Sequence, residues 1–477
     1  MKKNYFYSLI LSITNILFPI LSFPYASRIL GPVGIGKVQL TITFSQYFGL
    51  FAAFGIPVYG MQQIAKYRNN ESALSKTYSE LMSINIITSI FITLLYLIII
   101  SVFPFFENGY NLYIISSIIV FLGFTSIDWA YSGLEEFKII TIRSVIIKSL
   151  SLFLLYLLVK KESDYIYFLL INIFSLLGNN FISLFYFRKK VKFVYREINL
   201  IKHLRPLFFI FASTIAASMY TYLDTILLGF LTNEKSVGYY TAAIKLTKIS
   251  IPLITAAGVV FIPKFAIELN AENKENIQKL LNHSWHYIVF FSVPIFIGLF
   301  VFSEEFILLL SGAEFSDAII TMKILSSLPL IIGLGYFFGF QILIPMGKNK
   351  EMFYSVISGM IISLILNFYL INIFKENGTA LASVITELFV TSFYLYYVNK
   401  NFNYTYDWKL IIKCFTSCVL FFPISLLLTK INLALAYELI ISIILSAVSY
   451  FAIQFLIFKD KFILEYISVI RNKFIKL

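Results

Sequence analysis

Charge is scarce in this sequence. Only 13% of its 477 residues are Asp, Glu, Lys or Arg, about half of the ~25% found in soluble domains. Cysteine numbers two and histidine three. Cys414 and Cys418 stand four residues apart on one apolar stretch with no histidine nearby. That spacing points to buried thiols and excludes a disulfide framework or a metal pair. His203, His283 and His286 flank predicted helix ends and form no ligand cluster. Long polar blocks are missing too. The longest, FRKKVKFVYREINLIKHLR from Phe187 to Arg205, has the length of a linker and cannot build a soluble domain.

What is abundant is hydrocarbon: 59% of the chain is hydrophobic, with 51 Phe and 32 Tyr. A membrane-spanning helix needs about 20 mostly apolar residues, and its backbone polar groups must satisfy one another. Polar breaks delimit candidate segments at 5–27, 38–60, 81–104, 111–131, 144–159, 164–187, 207–231, 237–262, 285–303, 322–345, 352–374, 378–398, 410–429 and 433–458. The fifth is short and the thirteenth carries Lys413 near its start, so twelve to fourteen spanning helices are expected. The first apolar run continues past Phe23. It is therefore a retained helix, longer than the roughly 7–15 residues of a cleavable signal's core.

Lysine and arginine in the loops set the orientation. With the N-terminus inside, only Arg28, Lys37, Lys160, Lys161, Lys235, Lys323, Lys375 and Lys430 fall on the outer side, and Lys245 and Lys248 lie within a helix. Both termini are thus expected in the cytoplasm. The same bias accounts for most of the net charge of +13, so nucleic acid need not be invoked.

The chain repeats its own order. RILGPVGIG followed by a helix and GIPVYGMQQIAKY is echoed by DTILLGFLTNEKSVGYY followed by a helix and VVFIPKFAIEL. The expected architecture is all-α and integral to the membrane. Residues 1–187 form an N-lobe of six helices, 188–206 a basic cytoplasmic linker, 207–400 a C-lobe of six helices, and 401–477 two further helices with a cytoplasmic tail. Each six-helix unit begins and ends inside, so the repeats are parallel. Such chains bind substrate where the lobes meet and work by alternating access.

SRILGPVGIGK (Ser27 to Lys37) is the one glycine-rich stretch that invites a nucleotide-binding reading. GPVGIG reverses the order of a dinucleotide fingerprint and joins two apolar helices, not a strand and a helix. Pro32 cannot continue a helix and the glycines free the backbone, so this is an interhelical turn. The surrounding ILFPILSFPYASRILGPVGIGKVQLTITFSQYFGLFAAFGIPVYGMQQIAK resembles the opening of Wzx-type polysaccharide repeat-unit (O-antigen or capsule) flippases. These belong to the multidrug/oligosaccharidyl-lipid/polysaccharide exporter superfamily. The resemblance lies in the Pro-containing first helix, the RxLGPxGxG turn and the FGxPxYGxxxIAK exit. It implies a non-enzymatic carrier, without a cofactor, that moves an undecaprenyl-pyrophosphate-linked oligosaccharide to the outer leaflet of the bacterial cytoplasmic membrane. A polysaccharide polymerase and a chain-length regulator are the partners it suggests, and a Na+ or H+ gradient its driving force.

Charges inside hydrocarbon generally face a cavity or a partner. Lys245 and Lys248 share one helix face inside the predicted boundary, and a dehydrated pyrophosphate needs such cations. Arg28 stands where similar lipid II flippases carry an arginine. Lys148, near the cytoplasmic end of its predicted segment, completes the candidate substrate contacts. Asp224 and Asn367 match residues of the sodium site in some of those relatives, although Ile371 replaces their second aspartate and Gly55, Ile56 and Pro57 stand where they carry another arginine. Glu387 is the remaining coupling candidate, while Asp128 reads as a packing contact. Two other readings are weighed: a multidrug/cation antiporter or lipid II flippase of the same superfamily, and a membrane polysaccharide polymerase. The antiporter favours acidic cavity residues over these basic ones. The polymerase needs a large outer loop or clustered carboxylates, which the sequence lacks.

Overall fold

The computed structural model describes residues 2–195, 198–256, 258–271, 273–402, 404–431 and 433–460. The tail from 461 onward therefore lies outside the described residues. Every assigned element is helical: α1 (Lys2–Ala53), α2 (Ile56–Tyr67), α3 (Glu71–Val102), α4 (Tyr110–Phe121), α5 (Asp128–Gly133), α6 (Phe137–Leu158), α7 (Tyr165–Phe187), α8 (Ile201–Leu231), α9 (Glu234–Lys248) and α10 (Ile251–Thr255). The chain continues through α11 (Gly258–Asn270), α12 (Lys274–Val301), α13 (Ser303–Ser311), α14 (Ala318–Leu325), α15 (Leu328–Tyr336), α16 (Asn349–Asn401), α17 (Trp408–Ser417), α18 (Phe421–Thr429) and α19 (Leu435–Ala452). Among the described residues, ten helical stretches are long and apolar enough to cross a bilayer, and two of them, α1 and α16, each hold a pair of the expected segments. The last two segments of the sequence both qualify, over Trp408–Thr429 and Leu435–Ile457.

The chain divides into two compact units, Met1–Gly238 and Tyr239–Leu477. The same inversion of soluble-protein patterning runs through both. On α3 the buried face carries Ser89, Thr93 and Tyr96, while Phe91 (66% exposed) and Ile98 (59%) point outward. On α16, Ser355, Gly359, Ser363 and Asn367 are buried and Ile361, Ile365 and Phe368 are exposed. Small polar residues let helices approach and bond within the protein. Large apolar ones are left for lipid.

In the first unit, Ser45 donates to Ser116 Oγ at 2.7 Å, and the Tyr96 hydroxyl lies within 3.0–3.1 Å of both serines. Aromatic packing of Phe44, Tyr96, Phe106 and Tyr113 surrounds that network. The second unit is centred on Trp285, Phe290, Phe337 and Tyr450, with Cys414 and Cys418 as buried free thiols.

The glycine-rich stretch is a helix break. Gly31 has φ 61 and ψ 179, a left-handed φ that favours glycine, and Pro32 opens the next helical arm, where its missing N–H costs nothing. A Cβ on Gly36 would fall 1.7 Å from Glu234 O, and one on Gly238 2.0 Å from Pro32 O. The backbones of α1 and α9 therefore meet directly here.

The basic linker is pinned at its far end. Val194 N donates to Ser79 Oγ at 2.8 Å and Asn199 N to Glu80 Oε1 at 2.9 Å. Lys202 Nζ lies 2.7 Å from Glu80 Oε2. His203 Nε2 donates to the same oxygen at 3.0 Å, and its Nδ1 accepts from the Tyr59 hydroxyl at 2.9 Å. Burial lowers the His203 pKa, outweighing the opposite pull of Glu80 and reinforced by Lys202. Above pH ~6.5 the imidazole is neutral in both folded and unfolded chains. Below it the unfolded chain takes up the proton first, so stability falls as pH falls. Thermal unfolding of the purified protein between pH 7.5 and 5.5 tests this: the midpoint should drop through that window, and His203→Gln should flatten the slope. An unchanged slope contradicts the assignment.

Candidate functional site

The intramembrane charges of the first unit follow from how α1 and α6 lie together. Thr141 donates to Tyr7 O at 2.8 Å, Lys148 Nζ donates to Asn15 Oδ1, and Tyr25 OH donates to Val159 O at 2.9 Å. The offset between partners is nearly constant, so the first arm of α1 and α6 run parallel in register. Asn15 and Arg28 are 13 residues apart, about 20 Å of helix at 1.5 Å per residue. The structure thus places Lys148 and Arg28 at different depths. Arg28 is exposed, three residues before the break at Gly31.

Lys148 lies deeper than its expected place near the cytoplasmic end. The reason is where α6 begins. The polar start FKIITIRS was expected to precede a segment at 144–159, but the helix opens at Phe137, leaving Lys148 near its middle. Arg143 makes the earlier start tolerable. It ion-pairs with Asp128, donates to Asn179 O at 2.8 Å, and lies 5.8 Å from the centre of the Tyr131 ring. Its side chain is only 4% exposed. Asp128 is a packing residue through this bond. Arg143 itself was passed over because it reads as a loop charge; the carboxylate fifteen residues earlier was the available signal. Lys148, half-buried, sits 5.8 Å from the centre of the Phe18 ring. Among the described residues its bond goes to an amide and not to a carboxylate, so its remaining N–H donors are open to an anion.

Asp224, on α8, is buried at 5% exposure. In the second unit Lys245 and Lys248 occupy the last turn of α9, Lys245 half-buried and Lys248 exposed. The expected segment 237–262 is broken there: Pro252 opens α10, and α11 begins only at Gly258. Lysines at a helix C-terminus complement its dipole, and irregular backbone at membrane depth belongs where it lines a cavity or packs on protein.

Asn367 is fully buried and donates to Ser363 O at 2.9 Å. Glu387 lies half-buried on the second arm of α16. The helix reverses at Lys375, whose φ of 50 breaks it. Close approaches of Gly359 to Val390 and of Gly378 to Leu370 O fix the pairing of the two arms. In that register Asn367 and Glu387 stand about five to six residues apart, ~8–9 Å along the axis. Ile371 is wholly buried and supplies no oxygen.

A protein of Shigella dysenteriae assigned as an O-antigen transporter is 26% identical over 404 residues, covering 83% of this chain and 99% of its own. Its counterpart in Escherichia coli (strain K12) is 25% identical over 405 residues, 84% and 97% of the two chains. Among solved structures, a lipid II flippase in an inward closed conformation matches with a TM-score of 0.74 at 17% identity, over 96% of this chain and 99% of that one. At that identity the likeness shows the fold alone. Fold and relatives define a multi-pass membrane transporter and not an enzyme. The chain belongs to the polysaccharide biosynthesis protein family, which residues 1–268 match.

The Asp128–Arg143 pair makes an asymmetric prediction. Asp128→Asn leaves a buried guanidinium with one carbonyl. It should cost about 2–3 kcal/mol, the lower end for a pair whose carboxylate is half in solvent. Arg143→Met leaves only a solvated carboxylate and should cost less. Thermal midpoints of the two purified variants check the order, and the reverse order contradicts it.

Proposed function

We propose that this chain flips an undecaprenyl-pyrophosphate-linked oligosaccharide repeat unit from the inner to the outer leaflet of the bacterial cytoplasmic membrane by alternating access, supplying surface polysaccharide synthesis. The observation that carries the reading is the mid-helix Lys148, held by Asn15 and Phe18 without a carboxylate, in a member of the polysaccharide biosynthesis protein family. Arg28 would meet the pyrophosphate near one end of the path, Lys148 in its middle, and Lys245 with Lys248 from the second unit. Charge-assisted bonds to phosphate oxygens replace hydration as the headgroup leaves water. The relatives assigned as O-antigen transporters support the substrate class.

In this reading both termini face the cytoplasm, where the Lys- and Arg-rich loops hold them. A Na+ or H+ gradient returns the carrier, with Asp224, Asn367 and Glu387 as the candidate ion-coupling groups. A polymerase and a chain-length regulator would use the product on the outer side.

Deletion of the gene should trap the lipid-linked repeat unit on the cytosolic leaflet and abolish surface polymer. The unmodified gene and Lys148→Arg should restore it. Lys148→Glu should lower transport at least tenfold, as expected from losing a bond to a charged group of about 1.5–3 kcal/mol. If deletion alters drug tolerance and leaves the polymer intact, an antiporter replaces this reading.

A further inference from the structure

The second unit buries two carboxylates that the proposed transport path does not use. Glu305, on α13, is 6% exposed, and Glu438, in the first turn of α19, is 8% exposed. Their helices pack together, and the Glu438 carboxylate is close enough to act electrostatically on Glu305. Among the described residues, Glu305 Oε2 and Glu438 Oε1 accept no hydrogen bond, and neither does the buried Ser442 hydroxyl one turn beyond Glu438. A buried carboxylate oxygen without a donor is costly. A second buried carboxylate nearby adds to that cost. The other charged groups facing Glu305 are Glu304 on its own helix and Lys323 on α14, both exposed. Glu314, in the short turn beside them, is exposed as well. One exposed lysine, itself beside Glu304, leaves the two buried carboxylates with negative charge to be neutralised.

We infer that Glu305 and Glu438 share one monovalent cation, either a proton or an alkali ion. The pair is distinct from Asp224, Asn367 and Glu387, and it stands whether or not the flippase reading does. A bound cation joins α13 to α19 and satisfies the two open carboxylate oxygens at once. Burial, then Glu438 and Glu304, hold the Glu305 carboxyl above its ordinary pKa, with its own backbone N–H and Lys323 opposing. Such a carboxyl holds a proton, or an alkali ion in its place, more readily than an exposed one.

The test is the infrared C=O band of protonated carboxyls, recorded on the purified full chain in nanodiscs at pH 7 in choline chloride and then in NaCl or KCl. A band in choline that is lost in both Glu305→Gln and Glu438→Gln, and unchanged by the salts, identifies a shared proton. A band that NaCl or KCl removes identifies an alkali ion. No band in choline, or one that persists in both variants, overturns the inference. If a glutamine variant fails to fold, Glu438→Asp keeps a carboxyl and should shift the band, and an unshifted band overturns the inference equally. None of these readouts depends on transport.

Discussion

A charge inside hydrocarbon has to be neutralised or hydrogen-bonded, and the arrangement of the first unit follows from how one arginine meets that demand. Arg143 is buried against Asp128, Asn179 and Tyr131. With its guanidinium paired to a carboxylate and a carbonyl, α6 can start at Phe137, about two turns before its apolar run begins. That early start carries Lys148 to the centre of the helix. There, parallel register with α1 hands it an amide and an aromatic ring. The ion pair is structural, and what it positions is a lysine bonded to an amide. Burying both a paired and an amide-bonded cation on one helix is expensive, and packing alone gives no reason to retain the second.

The rest of the fold serves the same economy of polar groups. Hydroxyls of Ser45, Tyr96 and Ser116 bond one another, and Asn367 bonds back to its own helix. Helix breaks are placed where backbones are covered. At Gly31 the chain is backed by α9 through Gly36 and Gly238, and at Lys375 it folds α16 back on itself. Lipid receives the residues a soluble protein would hide.

Much of this was legible in the residues. Runs of apolar sequence located the spanning segments, the GPVGIG stretch read as a break, and the stripe Ser355, Gly359, Ser363, Asn367 lies on a buried face. What stayed hidden were features made by pairing across distance. The start of α6 depended on Asp128 neutralising Arg143, which a local hydropathy reading takes for loop residues. The break after Lys248 depended on Pro252 inside an otherwise continuous apolar run. Glu80 and His203, 123 residues apart, and the carboxyls of Glu305 and Glu438 look like ordinary surface charges until the fold buries them. Sequence spacing locates a helix face; it cannot say which distant group completes it.

In the proposed function the cation at mid-helix, Lys148, receives an anionic lipid headgroup. Binding of undecaprenyl pyrophosphate and of undecaprenol to the purified protein in nanodiscs tests it most directly, because the two lipids share a tail and differ in the charged group. The account predicts binding of the pyrophosphate lipid at least tenfold tighter, about 1.4 kcal/mol, with most of that preference lost in Lys148→Gln and retained in Lys148→Arg. Equal affinities for the two lipids, or a preference that Lys148→Gln leaves intact, would contradict it.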